Sequence, residues 1–136
     1  MLRLDFIQLS GNERDRQLVV LHQEGFKVIQ AFHITEQNHY KTATESKADL
    51  ILIDNASKDG IGGTGKTFDW NLKPPKRIPN LVLAGGINVD NVQQGLEIFN
   101  PLVIDVNSGV EFKPGIKSAE KMDDFFKKCN ALRYDY

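Results

Sequence analysis

Three places in this 136-residue chain put polar residues or glycines directly on the end of an apolar run, and each could do chemistry. Asp54 closes Ala48–Asp54 (ADLILID). Gly85–Gly86 follow Leu81–Ala84 (LVLA). Asn107–Ser108–Gly109 follow Leu102–Val106 (LVIDV), which itself contains Asp105. Glycines let backbone amides come close to an anion, and a helix N-terminus beside them adds partial positive charge. Two adjacent strand ends of this kind make a phosphate site that requires no Arg or Lys. Taken singly, each also has an ordinary reading. Asp54 can cap the following turn, Gly85–Gly86 can be a tight strand-to-helix turn, and Asn107 and Ser108 are common turn residues. Asp105 lies inside its apolar run, so its side chain can point into a barrel interior or pair with a lysine. His22, His33 and His39 do not form a ligand-spaced set, and no metal site is expected.

A fourth stretch competes for attention. Gly60–Trp70 (GIGGTGKTFDW) satisfies the phosphate-cradling expression of a P-loop through Gly60, Gly65, Lys66 and Thr67. A working P-loop needs a strand running straight into the first glycine and a long helix starting at the Lys-Thr. Here Asn55–Asp59 separates the strand from Gly60, and after Thr67 the sequence FDWNLKPP leaves room for one or two turns before two prolines. A P-loop nucleotide binder therefore remains only a weak alternative. Lys66, Thr67 and Trp70 are expected to be lid-loop and packing residues.

The elements that must position these residues alternate between strand and helix. Leu4–Leu9 is a strand, followed by a helix over Glu13–Glu24 that Gly25 stops. Phe26–Phe32 is the second strand, and Thr35 caps a helix over Glu36–Ser46 with a poor apolar face. Leu50–Ile53 is a buried parallel strand, Leu81–Ala84 a fourth, and Asn88 caps a helix with Val92, Leu96 and Ile98 or Phe99 inward. Leu102–Val106 is a fifth strand. Ser118 opens a last helix with Met122, Phe125, Phe126 and Cys129 on one side, and Arg133–Tyr136 is a frayed tail. Five strands separated by crossovers imply an α/β fold with a parallel sheet.

Composition narrows the class of partner. With 40% hydrophobic and 26% charged residues the chain suits one globular domain spanning residues 1–136. A net charge of −1 gives no electrostatic case for nucleic acid or an anionic membrane. No apolar run approaches the roughly 20 residues that span a bilayer, and Met1–Ser10 resembles a strand rather than a signal peptide. The single cysteine, Cys129, excludes an internal disulfide, suits a small core position, and makes a reducing cytoplasm the default compartment.

Taken together, ILID at Ile51–Asp54, GGTGKTFDW at Gly62–Trp70, LAGGINVDNV at Leu83–Val92, IDVNSGVE at Ile104–Glu111 and the Pro114–Lys117 segment (PGIK) resemble phosphoribosylanthranilate isomerase. That family is a (β/α)-barrel enzyme of tryptophan biosynthesis. Ile7–Glu13 (IQLSGNE) is similar to the family's fourth strand, so the resemblance covers nearly the whole chain. It implies an Amadori rearrangement of N-(5'-phosphoribosyl)anthranilate to the carboxyphenylamino-deoxyribulose phosphate, without a cofactor. On this resemblance Asp54 aligns with the general acid and Asp105 with a substrate-contacting aspartate of the eighth strand. Gly85, Gly86, Ser108 and Gly109 align with phosphate-binding loops, and Asn107 joins them as a substrate-binding residue. Gly62–Trp70 becomes a lid beside the acid.

The sequence also departs from the family. The family chain is about half as long again and holds eight βα units, whereas the units here resemble units four to eight. The family's first strand carries the general-base cysteine in a KICG-like motif, and its second-strand region an arginine that contacts substrate. Neither has a counterpart here, Cys129 lies in the wrong place, and Ser10 stands where a His is usual. The expectation is a truncated partial barrel, or an open five-stranded sheet, inactive as isolated. Its strand edges would be covered by another copy or a partner chain. A non-catalytic sugar-phosphate-binding module or assembly subunit is the alternative.

Overall fold

A computed structural model describes residues 3–54 and 71–133. Short apolar runs alternate with helices through most of the chain, and each run pairs with its sequence neighbour. The elements are β1 (Phe6–Leu9), α1 (Asp15–Gln23), β2 (Lys27–His33), α2 (His39–Glu45), β3 (Leu50–Asp54), β4 (Leu81–Ala84), α3 (Val92–Phe99) and β5 (Val103–Ile104). A 3₁₀ turn at Ser108–Val110 follows, then β6 (Glu111–Lys113), β7 (Ile116–Lys117) and α4 (Ala119–Arg133). Strands β1 to β5 form one sheet in the order of the sequence, with each adjacent pair parallel. Doubly wound sheets reverse their strand order at a switch point. A strictly sequential order, with right-handed crossovers, keeps the helices on one face, which is the (β/α)-barrel arrangement. The expected α/β class with five parallel strands is therefore what the chain adopts. Among the described residues β1 and β5 are the edges.

Alternation within the strands sorts side chains onto two faces. Val28, Ile51, Ile53, Leu81 and Leu83 form the main core with Leu18 of α1, Tyr40 and Ala43 of α2, Val92 and Phe99 of α3, and Phe125 of α4. The opposite face holds a smaller apolar cluster of Leu52, Val82 and Ala84, flanked by Ile29, Ala31 and Leu50. The carboxyl end of that second face is where the chemistry-bearing residues gather.

Several element boundaries differ from those the sequence suggests, for identifiable reasons. Leu4 lies outside β1 and is exposed. Helix α2 starts at His39 rather than Glu36. The Thr35 amide donates to His39 Nδ1 at 3.3 Å, so Thr35 caps no helix, and the amides of His39, Tyr40 and Lys41 form a succession of turns to Glu36, Gln37 and Asn38. Strand β5 keeps only Val103–Ile104, because β4 is its one partner among the described residues. Phe126 is exposed, while Phe125 is buried and Met122 and Cys129 pack beside it against the core. The buried stripe runs through 125, 129 and 122, and 126, one turn on from 122, lies at its solvent-facing rim. The antiparallel pair β6–β7, turning at Pro114–Gly115, was not foreseen. No described helix is long and apolar enough to cross a membrane.

Candidate functional site at the carboxyl ends of the strands

The register of the sheet places the site. His33 pairs with Asp54, and Asp54 pairs with Ala84. The β4–β5 register, Val82 with Val103 and Leu83 with Ile104, continues one residue further to put Asp105 level with Ala84, and the Asp105 amide still donates to the Leu83 carbonyl at 2.9 Å. One transverse row therefore reads His33, Asp54, Ala84, Asp105. Residues level with each other on neighbouring strands point to the same face. The face is the one carrying Leu52 and Val82, so His33, Asp54 and Asp105 stand at the carboxyl end of the smaller apolar cluster to which Ala84 belongs. Asp54 and Asp105 lie two strands apart, about 10 Å, and Ala84 between them fills little of that gap. The row lines an open concavity of about 930 Å³, to which Gln8, Ser10 and Glu13 contribute from the end of β1 and the loop after it.

Two loops stand beside the row, and they touch. Gly85 and Gly86 both have positive φ, 87° and 70°, so the chain turns sharply from β4 toward α3. The buried Asn91 braces this turn. Its Nδ2 donates to the Gly86 carbonyl at 2.9 Å, and its Oδ1 accepts the Asn88 amide at 2.9 Å. The Asn88 side chain in turn accepts the amides of Asp90 and Asn91 at 2.9 and 3.2 Å. It caps the turn that leads into α3 rather than the helix itself, whose N-cap is Asn91 and whose regular part begins at Val92. The second loop, Asn107–Gly109, packs directly on the first. A Cβ added to Gly109 would lie 1.9 Å from the Ile87 carbonyl oxygen, so only glycine fits that contact.

Lys117 fixes the second loop from behind. Its ammonium donates to the Asn107 carbonyl at 2.8 Å, to the Asn107 side-chain oxygen, and to Glu111 Oε1 at 2.9 Å. Those three acceptors use all three of its protons, so Lys117 holds protein rather than a ligand. The Lys117 hydrogen bond keeps the Glu111 carboxyl below its ordinary range. Lys121 adds a bond to the Glu111 carbonyl at 2.7 Å.

The His33 ring is the polar neighbour of Asp54 that spacing along the sequence did not single out. Its Nδ1 lies 3.0 Å from the Asp54 main-chain oxygen. Its place at the end of FKVIQAFH, opposite the end of ADLILID, is the signal that could have found it. Asn91 and Lys117 were inside quoted motifs without a stated role. Asp54, Asp105, Gly85, Gly86, Asn107, Ser108 and Gly109, singled out from the sequence, all come together at this end of the sheet. Residues Gly60–Trp70, the expected lid, lie outside the described residues, and Tyr40 holds the chain just beyond them by donating to the Leu72 carbonyl at 2.7 Å. Burial pushes the Tyr40 phenol upward, which keeps its proton available for that bond. Among the described residues no three His, Cys, Asp or Glu side chains are grouped to hold a metal ion.

A family model described as N-(5'phosphoribosyl)anthranilate (PRA) isomerase matches residues 1–128. An N-(5'-phosphoribosyl)anthranilate isomerase of Clostridium acetobutylicum is 36% identical over 135 residues, covering 97% of this chain and 64% of the relative. The crystal structure of phosphoribosyl anthranilate isomerase from Thermotoga maritima superposes with a TM-score of 0.79 at 35% identity, covering 94% of this chain and 62% of that one. A phosphoribosyl anthranilate isomerase in complex with reduced 1-(o-carboxyphenylamino)-1-deoxyribulose 5-phosphate gives a TM-score of 0.72 at 30% identity, covering 94% of this chain and 60% of the other. The chain spans a little under two thirds of the length of these relatives. A matching family model over most of the sequence, a parallel sheet in barrel order and relatives above 30% identity lead to one assignment: the chain belongs to the N-(5'-phosphoribosyl)anthranilate isomerase family.

Proposed function

We propose that this chain carries the acid and phosphate-binding part of a phosphoribosylanthranilate isomerase site, its five βα units corresponding to units four to eight of the family barrel. The observation that carries this reading is the shared end of the sheet: the Asp54–Ala84–Asp105 row lies next to two glycine loops in direct contact. In that reading Asp54 protonates the furanose ring oxygen of the substrate. The C1–O bond breaks as the anilino nitrogen lone pair forms the C=N bond of the Schiff base. Loss of the C2 proton to a base then gives the enol, and its return to a ketone completes the aldose–ketose conversion. Asp105, two strands away, contacts the opened sugar. Gly85, Gly86, Asn107, Ser108 and Gly109 take the phosphate through backbone amides and short side chains, aided by the N-terminus of α3. The pathway is tryptophan biosynthesis and the setting the cytoplasm.

The base is the other half of the pair. No residue here aligns with the family's first-strand cysteine, so the isolated chain binds the ligand and does not turn it over. Exposed Leu4 and Phe6 at one edge, and Leu102 and Val103 at the other, suit completion by a second copy or a partner chain. Calorimetry with the reduced carboxyphenylamino-deoxyribulose phosphate and with ribose 5-phosphate tests the reading. Binding of both, tighter for the first and weakened by G109A, is expected. No heat at millimolar ligand would reject it, and turnover of phosphoribosylanthranilate by the isolated chain would reject the missing-base argument.

A further inference from the structure

The His33 side chain is placed by a single polar contact. Its Nδ1 faces the Asp54 main-chain oxygen at 3.0 Å, while its Nε2 is buried and has no hydrogen-bond partner among the described residues. A carbonyl only accepts, so Nδ1 carries the proton in this contact. The Ile34 amide reaches the same carbonyl at 3.4 Å, a long contact for a ladder bond. The shorter bond at the end of β3 therefore comes from a side chain. It comes from the strand neighbour directly opposite Asp54 in the register, on the face that carries the site. Buried ring nitrogens normally find partners. One that does not must be held where it is by what the other nitrogen does.

We propose that His33 is a positioning residue for Asp54: its Nδ1–H, donated to the Asp54 carbonyl, fixes the last peptide of β3 and so the direction in which the Asp54 carboxyl enters the concavity. The inference rests on Asp54 acting in the site proposed above. The carboxyl is attached to the peptide that His33 pins. On the β2 side, loss of that bond would leave the Asp54 carbonyl with the long Ile34 amide contact, and the carboxyl less well fixed relative to Asp105 and the two glycine loops. The ring contributes through Nδ1 alone, and its Nε2 plays no part in holding the acid.

Two near-isosteres separate the nitrogens. Asparagine places its side-chain amide where Nδ1 sits, and glutamine places it where Nε2 sits. Titration of the full chain with the reduced carboxyphenylamino-deoxyribulose phosphate should show H33L weakened by about threefold to tenfold, the worth of one neutral hydrogen bond. H33N should stay within about twofold of the unsubstituted chain on the same scale, and H33Q should match H33L. A purely structural packing role would move all three alike and give no rescue by asparagine. Binding retained in H33Q and lost in H33N would overturn the proposal, as would equal affinity in all variants. If the unsubstituted chain binds no analogue, the reading of function fails. The imidazole ¹⁵N spectrum of the free chain then decides on its own. A neutral ring protonated at Nδ1, with slowed exchange of that proton, supports the positioning role, and a neutral ring protonated at Nε2 refutes it.

Discussion

Gly109→Ala is the sharpest test of the two-loop arrangement, because the structure supplies the size of the clash. The new methyl would sit 1.9 Å from the Ile87 carbonyl oxygen, 2.9 Å from the Ile87 carbonyl carbon and 2.9 Å from Asn88 Cβ. Two of these atoms are backbone, so no rotamer change relieves the contact. One loop must retreat from the other by more than about 1 Å before ordinary van der Waals distances return. Neither loop is free to do so. The Ile87–Asn88 side is tied by Asn91 through two bonds of 2.9 Å, with the Ile87 side chain itself buried. The Asn107 side is tied by Lys117. Gly109 is not among the glycines with positive φ, so the alanine meets no backbone strain and the effect is steric.

Overpacking of this kind costs about 1–3 kcal/mol, which for a chain of 136 residues is a fall of about 4–12 °C in melting temperature. The loss of ribose 5-phosphate affinity should be larger in proportion, because every amide donor on the retreating loop leaves its place together. We expect at least about a tenfold rise in Kd, since a displacement near 1 Å can cost up to a hundredfold where geometry matters. Thermal unfolding and calorimetry on the same preparation measure both. Gly115→Ala is the control: its φ of 79° strains an alanine, but nothing lies within 4 Å of the added Cβ, and Gly115 is in the β6–β7 turn. It should lower stability modestly and leave affinity unchanged. A melting temperature within 1 °C of the unsubstituted chain for G109A, together with unchanged affinity, would mean that the two loops do not pack as described.

Further outcomes follow from individual contacts. Asn91→Ala empties a buried side-chain position and removes both ties of the Gly86 turn, so urea denaturation should show a loss of about 2 kcal/mol for the two hydrogen bonds; a loss below about 0.5 kcal/mol would contradict the bracing role. Lys117→Met should lower thermal stability only slightly, since the lysine end of its ion pair with Glu111 is exposed, yet weaken ribose 5-phosphate binding by loosening Asn107; equal binding would show the loop needs no staple. The Val28 amide at 2.7 Å, and then His22 at 2.9 Å, hold the Asp49 carboxyl below its ordinary range. Its proton affinity is lower folded than unfolded, so its contribution is complete above the unfolded value near pH 4 and is lost as pH falls through the lower folded value. The stability gap between the unsubstituted chain and D49N should therefore narrow below about pH 4, and a gap constant from pH 3 to 7 would exclude this linkage. Burial pushes the Cys129 thiol up, so its reaction with a disulfide reagent should be slower in the folded chain than in urea; equal rates would place it on the surface.

What could be read from the sequence was whatever a short segment decides by itself. Asp54, Gly85–Gly86 and Asn107–Gly109 were legible because each ends an apolar run, and in parallel sheets chemistry gathers at those ends. The buried stripe of Met122, Phe125 and Cys129 followed from helical spacing, but that spacing admits Phe126 as well, and only the packing of α4 on the core leaves it exposed at the rim. The β6–β7 hairpin was missed because strands of three and two residues carry no alternation to detect; the proline–glycine pair at its tip was the one available cue. His33 was missed for a different reason. Its relation to Asp54 spans 21 residues and exists only through the pairing of β2 with β3. A slip of one residue in that pairing would turn His33 to the helix-covered face and leave the Asp54 carbonyl without its donor. The apolar run Leu50–Ile53 is hydrophobic on both faces and resists such a slip only weakly by itself. What locks the register is Asp49, whose carboxylate accepts the Val28 amide at the opposite end of the same two strands. The acid end of the sheet is thus aligned by a carboxylate at its amino end, and D49A, which removes the acceptor of the Val28 amide, should disturb the His33–Asp54 contact although it touches neither residue. Loss of the slowed-exchange His33 Nδ1 proton in D49A would be the sign of it. Its full retention would show that the register is held by the apolar faces alone.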